Sequence, residues 1–84
     1  MRYEFLPHLS KIIKYAEEHQ IKKDFDDAVK LFKTNPEAKS LNIERLEPKH
    51  LGFFSFRITK KYRATFVYIG SNIIKVVQIT NHYR

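Results

Sequence analysis

The spacing of apolar residues in the first half of the chain predicts two helices. Each run of apolar positions falls on one helical face. The positions are Leu9, Ile12, Ile13 and Ala16 in the first run and Phe25, Ala28, Val29, Leu31 and Phe32 in the second. We place Pro7 in the first turn of the first helix, and the second helix from about Lys22 to Lys33, ended by Asn35 and Pro36. The short link at Gln20 and Ile21 favours an antiparallel helical hairpin.

The second half of the chain alternates apolar and polar residues with a period of two, which is typical of strands. The predicted strands are Leu41–Leu46, Gly52–Thr59, Tyr62–Ile69 and Ile73–Thr80, preceded near the N-terminus by a short edge strand within Arg2–Phe5. Their links are too short for parallel crossovers, which need about a dozen residues. The predicted fold class is α+β, with a short N-terminal strand, a two-helix hairpin and then an antiparallel β-meander.

The register of the central hairpin decides where two arginines lie. The aromatic residues of both strands face the core together only if the loop has an odd number of residues. We place this loop at Lys60–Tyr62, with Thr59 opposite Arg63. The opposite face then carries Arg57 and Arg63, and we expect them to form an exposed patch where a phosphate could bind.

Length and composition limit the classes of protein that this chain can belong to. The 84 residues fit a single domain, 1–84, with 43% hydrophobic residues, ordinary for a chain that folds. The chain has no cysteine, its four histidines lack metal-ligand spacing, and two glycines cannot form a phosphate-cradling loop. We therefore expect no metal and no cofactor. We see no apolar run of membrane-spanning length and no signal peptide, so we expect a cytoplasmic protein that does not contact membranes.

Charge is distributed unevenly along the chain. The formal net charge is +7, and the stretch from Pro48 to Arg84 contains seven Lys and Arg residues but no Asp or Glu. Residues 1–47 hold nine basic and nine acidic side chains, so the whole excess lies in the C-terminal part. A basic surface of this kind gains free energy from counterion release when it binds phosphates. The asymmetry indicates a polyanionic partner.

The basic half also contains the residue types that cleave RNA without a metal. A base removes the proton from a ribose 2′-OH, a cation stabilises the charge at phosphorus, and an acid protonates the leaving oxygen. The candidates are Glu44, Arg57, Arg63, His82 and Tyr83, with Lys49 and His50 nearby. Each of these residues could also have a simpler role. The arginines could be solvated strand residues, and Glu44 could form an ion pair. His82 and Tyr83 could belong to a frayed tail, and Lys60 and Lys61 could only make a turn soluble.

The stretch LGFFSFRITKKYRATFVY at residues 51–68 and the ending ITNHYR resemble the RelE/ParE superfamily of small bacterial toxins, most of all its YoeB branch. That branch has a G-F-W-S-R-R-I strand, then H-R-L-V-Y, an ending in H-Y, and an acidic residue eight positions before the glycine. Glu44 lies eight positions before Gly52 here. Three positions depart from the pattern: Phe56 replaces the first arginine, Tyr62 replaces a histidine, and Arg84 extends the end.

The resemblance implies a toxin that cleaves mRNA on the ribosome and that a cognate antitoxin neutralises. Glu44 would be the general base, Arg63 the phosphate clamp and His82 the general acid, while Tyr83 would orient the substrate or the acid. Further RNA contacts are expected from Lys49, His50, Arg57, Lys60, Lys61 and Arg84. The expected partners are mRNA, rRNA and the antitoxin, in a homodimer or a heterocomplex.

Two other functions remain open at this point. The ParE branch inhibits DNA gyrase without enzymatic activity, and there the basic face would only bind. A repurposed relative would bind RNA without cutting it. A supercoiling assay separates the gyrase inhibitor from the endoribonuclease.

Overall fold

The computed structural model of the protein describes residues 2–81. One five-stranded sheet, in the order β1-β5-β4-β3-β2, packs against two helices. The elements in chain order are strand β1 (Glu4–Phe5), helices α1 (Ser10–Glu18) and α2 (Lys22–Thr34), and strands β2 (Glu44–Arg45), β3 (Phe54–Arg57), β4 (Tyr62–Tyr68) and β5 (Ile73–Asn81). Strands β2 to β5 form the predicted antiparallel meander, and β1 joins it in parallel at the edge of β5. The predicted α+β class and element order are confirmed.

Helix α1 begins three residues later than predicted from Pro7. The N–H of Leu6 donates a 2.9 Å hydrogen bond to the carbonyl of Ile74, which continues the pairing of β1 with β5. Leu9, immediately before the helix, is still extended, with φ −61° and ψ 145°. Pro7 therefore lies in the link between strand and helix, and Ser10 is the first helical residue.

The predicted strands at residues 41–46 and 52–59 are shorter in the structure. Leu41 ends a short 3₁₀ turn and is buried in the core, and Asn42 follows with a φ of +44°. Gly52 has a φ of +73°, a conformation that costs glycine little and other residues much more. Both positions interrupt the extended backbone, so β2 begins only at Glu44 and β3 only at Phe54.

The central hairpin has the predicted odd loop in a different place. Arg57, not Thr59, is opposite Arg63. The Oγ1 of Thr59 accepts hydrogen bonds from the N–H groups of Lys61 and Tyr62, at 3.1 and 3.2 Å, which tightens the turn. The turn therefore consists of residues 59–61, and the N–H of Ile58 donates to the carbonyl of Tyr62 at 3.0 Å.

The core lies between the helices and one face of the sheet. Phe32 of α2 is fully buried and meets four aromatic rings edge-on, with ring centroids 5.3 to 5.7 Å away. Those rings belong to Tyr3, Phe5, Phe56 and Phe66. Edge-on geometry is favourable for aromatic pairs. These contacts fix which face of β3 and β4 is turned to the helices, and so leave the alternate residues on the other face.

A bulge changes the alternation of β5. Thr65 is opposite Gln78 and Phe66 is opposite Val76, which leaves Val77 as an extra residue in β5. Val76 and Ile79 are both buried although they are three positions apart. The extra residue is what brings Ile79 back to the core face while Thr80 stays on the other side.

Candidate active site

The side of the sheet away from the helices carries a stripe of polar residues that crosses four strands. The strand register pairs Glu44 with Ser55, Arg57 with Arg63, and Arg63 with Thr80, so their side chains share one face. We call this surface the polar face; it comprises Glu44, Ser55, Arg57, Arg63, Thr65, Gln78 and Thr80. The sheet therefore places the proposed base and the proposed phosphate clamp on the same side.

Arg63 is the central residue of the polar face, and it is only 5% exposed. Its Nε–H donates to the Oγ of Ser55 at 2.9 Å, and its Nη2 donates to the carbonyl oxygens of Ser55, at 3.3 Å, and of Asn42. The prediction that Arg63 lies exposed in a two-arginine patch is therefore wrong. The alternation of apolar and polar residues assigns the Arg63 side chain to one face of the sheet. It does not show that neighbouring groups bury the side chain on that face.

The electrostatic surroundings of Arg63 include both other charged members of the polar face. Burial lowers the pKa of Arg63 because it disfavours the charged guanidinium, Glu44 raises this pKa, and Arg57 lowers it. Within residues 2–81 the ion pairs are Lys22–Asp26 and Lys23–Asp27, so Arg63 makes none with a carboxylate of that part of the chain. The guanidinium is a buried cation held by neutral oxygen atoms.

Glu44 and Arg57 are exposed and lie on the two strands to one side of Arg63, β2 and β3. The Nδ2 of Asn42 donates to the Oε2 of Glu44 at 3.4 Å, a weak contact that leaves the carboxylate accessible to solvent. Arg57 also lines a surface groove together with Asp24 and Asp27 of α2. Of the predicted exposed arginine patch, only Arg57 remains at the surface.

The other predicted RNA contacts lie in two turns. Lys60 and Lys61 are exposed in the turn between β3 and β4, at the end of the sheet where Arg57 and Arg63 are paired. Lys49 and His50 are exposed in a 3₁₀ turn after β2, and the carbonyl of Lys49 accepts a 3.0 Å hydrogen bond from Arg45. The turn with Lys60 and Lys61 therefore adjoins the polar face, whereas the turn with Lys49 and His50 contacts Arg45.

Three predicted site residues, His82, Tyr83 and Arg84, lie outside the described residues. The last described position, Asn81, is opposite Tyr62, and Thr80 is opposite Arg63. Strand β5 therefore carries the chain to the Arg63 end of the sheet immediately before His82.

Two residues of the site were missed from the sequence. Ser55 is 2% exposed and binds Arg63 through both its hydroxyl and its carbonyl oxygen. Asn42 contributes its carbonyl to Arg63 and its amide to Glu44. For Ser55 the sequence contains a usable signal, since this serine lies between two phenylalanines and faces the same way as Arg63. For Asn42 it contains none, because the role of Asn42 depends on its backbone conformation.

Within residues 2–81 no three His, Asp or Glu side chains are grouped so that they could hold a metal ion. No helix in the same range is both long enough and apolar enough to cross a membrane.

Solved structures of bacterial toxins share this architecture along almost their whole length. The YoeB/ParE toxin from Agrobacterium tumefaciens superposes with a TM-score of 0.68 at 22% identity, covering 99% of this chain and 100% of the other. YafQ from E. coli gives a TM-score of 0.72 at 13% identity, covering 98% and 94%. This chain has the fold of these proteins. The RelE/ParE fold implied by the sequence resemblance is thereby confirmed.

A structure of the YoeB-YefM toxin-antitoxin complex from Staphylococcus aureus, described as heterotetrameric, shows the same RelE/ParE fold. Its TM-score is 0.66 at 20% identity, and the match covers 99% of this chain and 100% of the other. No protein-family model matches the chain, and no curated protein matches it by sequence.

Proposed function

We propose that this protein is the toxin of a type II toxin-antitoxin system, an endoribonuclease that cleaves mRNA on the ribosome. The observation that carries the proposal is the arrangement of Glu44 and Arg63 on the polar face of a RelE/ParE fold. A carboxylate and a guanidinium on one surface supply two of the three groups needed for cleavage by the ribose 2′-OH. The third, His82, follows one residue after the described end of β5.

The burial of Arg63 supports its role as a phosphate clamp. A guanidinium in a low-dielectric site attracts an anion more strongly than one in water. Within residues 2–81 its hydrogen bonds use Nε and Nη2, and none uses Nη1. In our proposal Ser55 and Asn42 hold the guanidinium in place, and Nη1 donates to a phosphate oxygen.

The proposed reaction proceeds by general acid and base catalysis without a metal. Glu44 takes the proton of the ribose 2′-OH, and the 2′-oxygen forms a bond to phosphorus as the bond to the 5′-oxygen breaks. His82 gives its proton to that leaving oxygen, and Tyr83 orients the substrate or the acid. The products are a 2′,3′-cyclic phosphate, or the 3′-phosphate formed from it, and a 5′-hydroxyl end.

The proposed partners follow from the charge of the chain. In our proposal Lys49, His50, Arg57, Lys60, Lys61 and Arg84 contact mRNA or rRNA, and the protein would then act in the cytoplasm with the ribosome. A net charge of +7 suits an acidic antitoxin segment that covers the basic surface. The YoeB-YefM complex from Staphylococcus aureus is the precedent for such an assembly. Coexpression with the product of a small neighbouring reading frame should restore growth and give a copurifying complex.

The proposal is tested by induced expression in growing bacteria, followed by primer-extension mapping of mRNA ends. We expect the wild type to stop growth and to produce new mRNA 5′ ends. Arg63→Lys and His82→Gln should abolish both effects, because lysine lacks the guanidinium fork and glutamine cannot donate the proton. Arg2→Lys, an exposed substitution at the opposite edge of the sheet, serves as the control.

Two results would contradict the endoribonuclease proposal. One is that both variants stay as toxic as the wild type, and the other is growth arrest with intact mRNA. If the purified protein instead inhibits supercoiling by DNA gyrase, the non-enzymatic alternative is correct.

A further inference from the structure

A cluster of aromatic rings lies at the end of the sheet nearest to Arg63, on the side of the helices. Tyr15 of α1 and His19, the residue directly after this helix, stack with ring centroids 3.9 Å apart and planes inclined by 18°. Tyr62 meets both rings edge-on, at 5.6 Å from His19 and 6.2 Å from Tyr15. We call these three residues the aromatic ledge.

The ledge has a structural role in ending helix α1. His19 is the C-cap residue, and its Nδ1–H donates a 2.9 Å hydrogen bond to the carbonyl of Tyr15, which also accepts from the backbone N–H of His19. These bonds satisfy one carbonyl at the helix end. They use one edge of the imidazole and leave its outer face unused.

His19 is an exposed residue, and from this we infer that the ring face turned away from Tyr15 is open to solvent. Tyr15 covers one face of the ring, and the residue is nevertheless exposed. Tyr62, in contrast, is only 9% exposed and supports the stack from the side. The ledge therefore combines an exposed, stacked imidazole ring with a buried tyrosine beside it.

Positive charge adjoins the ledge. The Nζ of Lys61 lies 5.7 Å from the centroid of the Tyr62 ring, and Lys60 precedes it in the same exposed turn. Tyr62 and Arg63 are neighbours in β4 with side chains on opposite faces of the sheet. A nucleic acid strand that leaves the polar face around this turn therefore passes two lysines and then reaches His19.

We propose that the aromatic ledge is a binding site for a base of single-stranded RNA, which stacks on the outer face of His19 while Lys61 neutralises a neighbouring phosphate. Stacking on aromatic side chains beside basic residues is the common way in which proteins bind single strands. The inference rests on the proposed function for the identity of the ligand as RNA. It adds a nucleotide site outside the proposed catalytic groups.

Two substitutions separate base stacking from helix capping. His19→Phe keeps a flat ring and loses the Nδ1 hydrogen bond, whereas His19→Asn keeps a polar side chain at the helix end and loses the ring. The measurement is the affinity of the full-length protein, without ribosomes, for a short fluorescently labelled single-stranded RNA. We expect Asn to weaken binding about tenfold and Phe to change it less than about threefold.

The ligand provides a second control. An RNA of equal length with abasic nucleotides keeps every phosphate but offers no base to stack. We expect the wild type to bind it about tenfold more weakly, and His19→Asn to distinguish the two RNAs much less. In NMR spectra, the ring protons of His19 should shift upfield when the intact RNA is added, because a stacked base shields them.

The proposal is overturned if both variants bind intact RNA as the wild type does, if both weaken it equally, or if the wild type binds no RNA. Loss of antitoxin binding by His19→Asn with unchanged RNA affinity would assign the ledge to a protein partner and would also overturn it. Failure of the proposed function is recognisable separately. In that case mRNA stays intact in cells while His19→Asn still weakens the binding of single-stranded RNA.

Discussion

The Nε–H of Arg63 donates a 2.9 Å hydrogen bond to the Oγ of Ser55, and both residues are buried on the polar face of the sheet. The bond joins two neighbouring strands, β3 and β4, at the centre of the proposed active site. It fixes the plane of the guanidinium. Ser55 thus positions Arg63 and has no direct role in the proposed chemistry.

Ser55→Ala should lower both stability and cleavage. The Nε–H of Arg63 would remain buried without its hydroxyl partner, which costs about 1–3 kcal/mol. Urea denaturation measures this as a fall in the free energy of unfolding. Ser71→Ala, in an exposed turn, is the control and should change stability by less than about 0.5 kcal/mol. Equal stability of the two variants would show that the bond does not hold Arg63.

Arg57→Gln should weaken RNA binding without affecting stability, because the side chain of Arg57 is exposed. Arg63, which is opposite Arg57 in β4, is buried. The slope of log affinity against log salt concentration should become shallower by about 0.7, the value for one lost contact to single-stranded RNA. Fluorescence anisotropy at several salt concentrations measures the slope. Lys30→Gln, on the exposed side of α2, should leave it unchanged. An unaltered slope for Arg57→Gln would remove Arg57 from the RNA contacts.

Much of this architecture is predictable from the order of apolar residues. Phe56 and Phe66 reach the core because the hairpin loop is odd, and the sequence pattern contains that information. The burial of Arg63 is not predictable in this way, since it depends on Ser55 across the strand pair and on Asn42, distant in the chain. The left-handed backbone of Asn42, which brings its carbonyl to Arg63, also has no periodic signal.

The bulge in β5 shows the same limit of periodicity. The predicted strand at residues 73–80 matches the observed one closely, yet a strict period of two cannot bury both Val76 and Ile79. Tertiary packing decides this local irregularity. It also puts Thr80 opposite Arg63 and Asn81 opposite Tyr62.

His8 should make stability depend on pH. Its Nδ1 is buried without a hydrogen-bond partner in the described part of the chain, and its ring lies 4.9 Å from Phe25. Burial lowers the pKa of His8 below the usual 6.5; Asp26 raises it, and Lys22 and Lys33 lower it. The unfolded chain therefore binds the proton more readily, so the contribution of His8 to stability is complete above pH 6.5 and is lost as the pH falls below it.

The test is His8→Leu, which keeps an apolar contact and removes the titrating group. Between about pH 7.5 and about pH 5, the free energy of unfolding should fall less for this variant than for the wild type. His50→Gln, at an exposed position, is the control, and its free energy of unfolding should change with pH along the same slope as that of the wild type. If His8→Leu retains that slope as well, His8 does not titrate as its surroundings indicate.

The most direct test of the proposed active site is the rate at which the purified protein cleaves mRNA on programmed ribosomes. Glu44→Gln keeps the size and hydrogen bonding of the exposed side chain and removes its ability to accept the 2′-OH proton. Glu47→Gln makes the same change three residues away at another exposed position and is the matched control. We predict that Glu44→Gln slows cleavage at least about 100-fold at unchanged ribosome affinity, while Glu47→Gln cleaves like the wild type. Cleavage by Glu44→Gln at the wild-type rate would contradict the account.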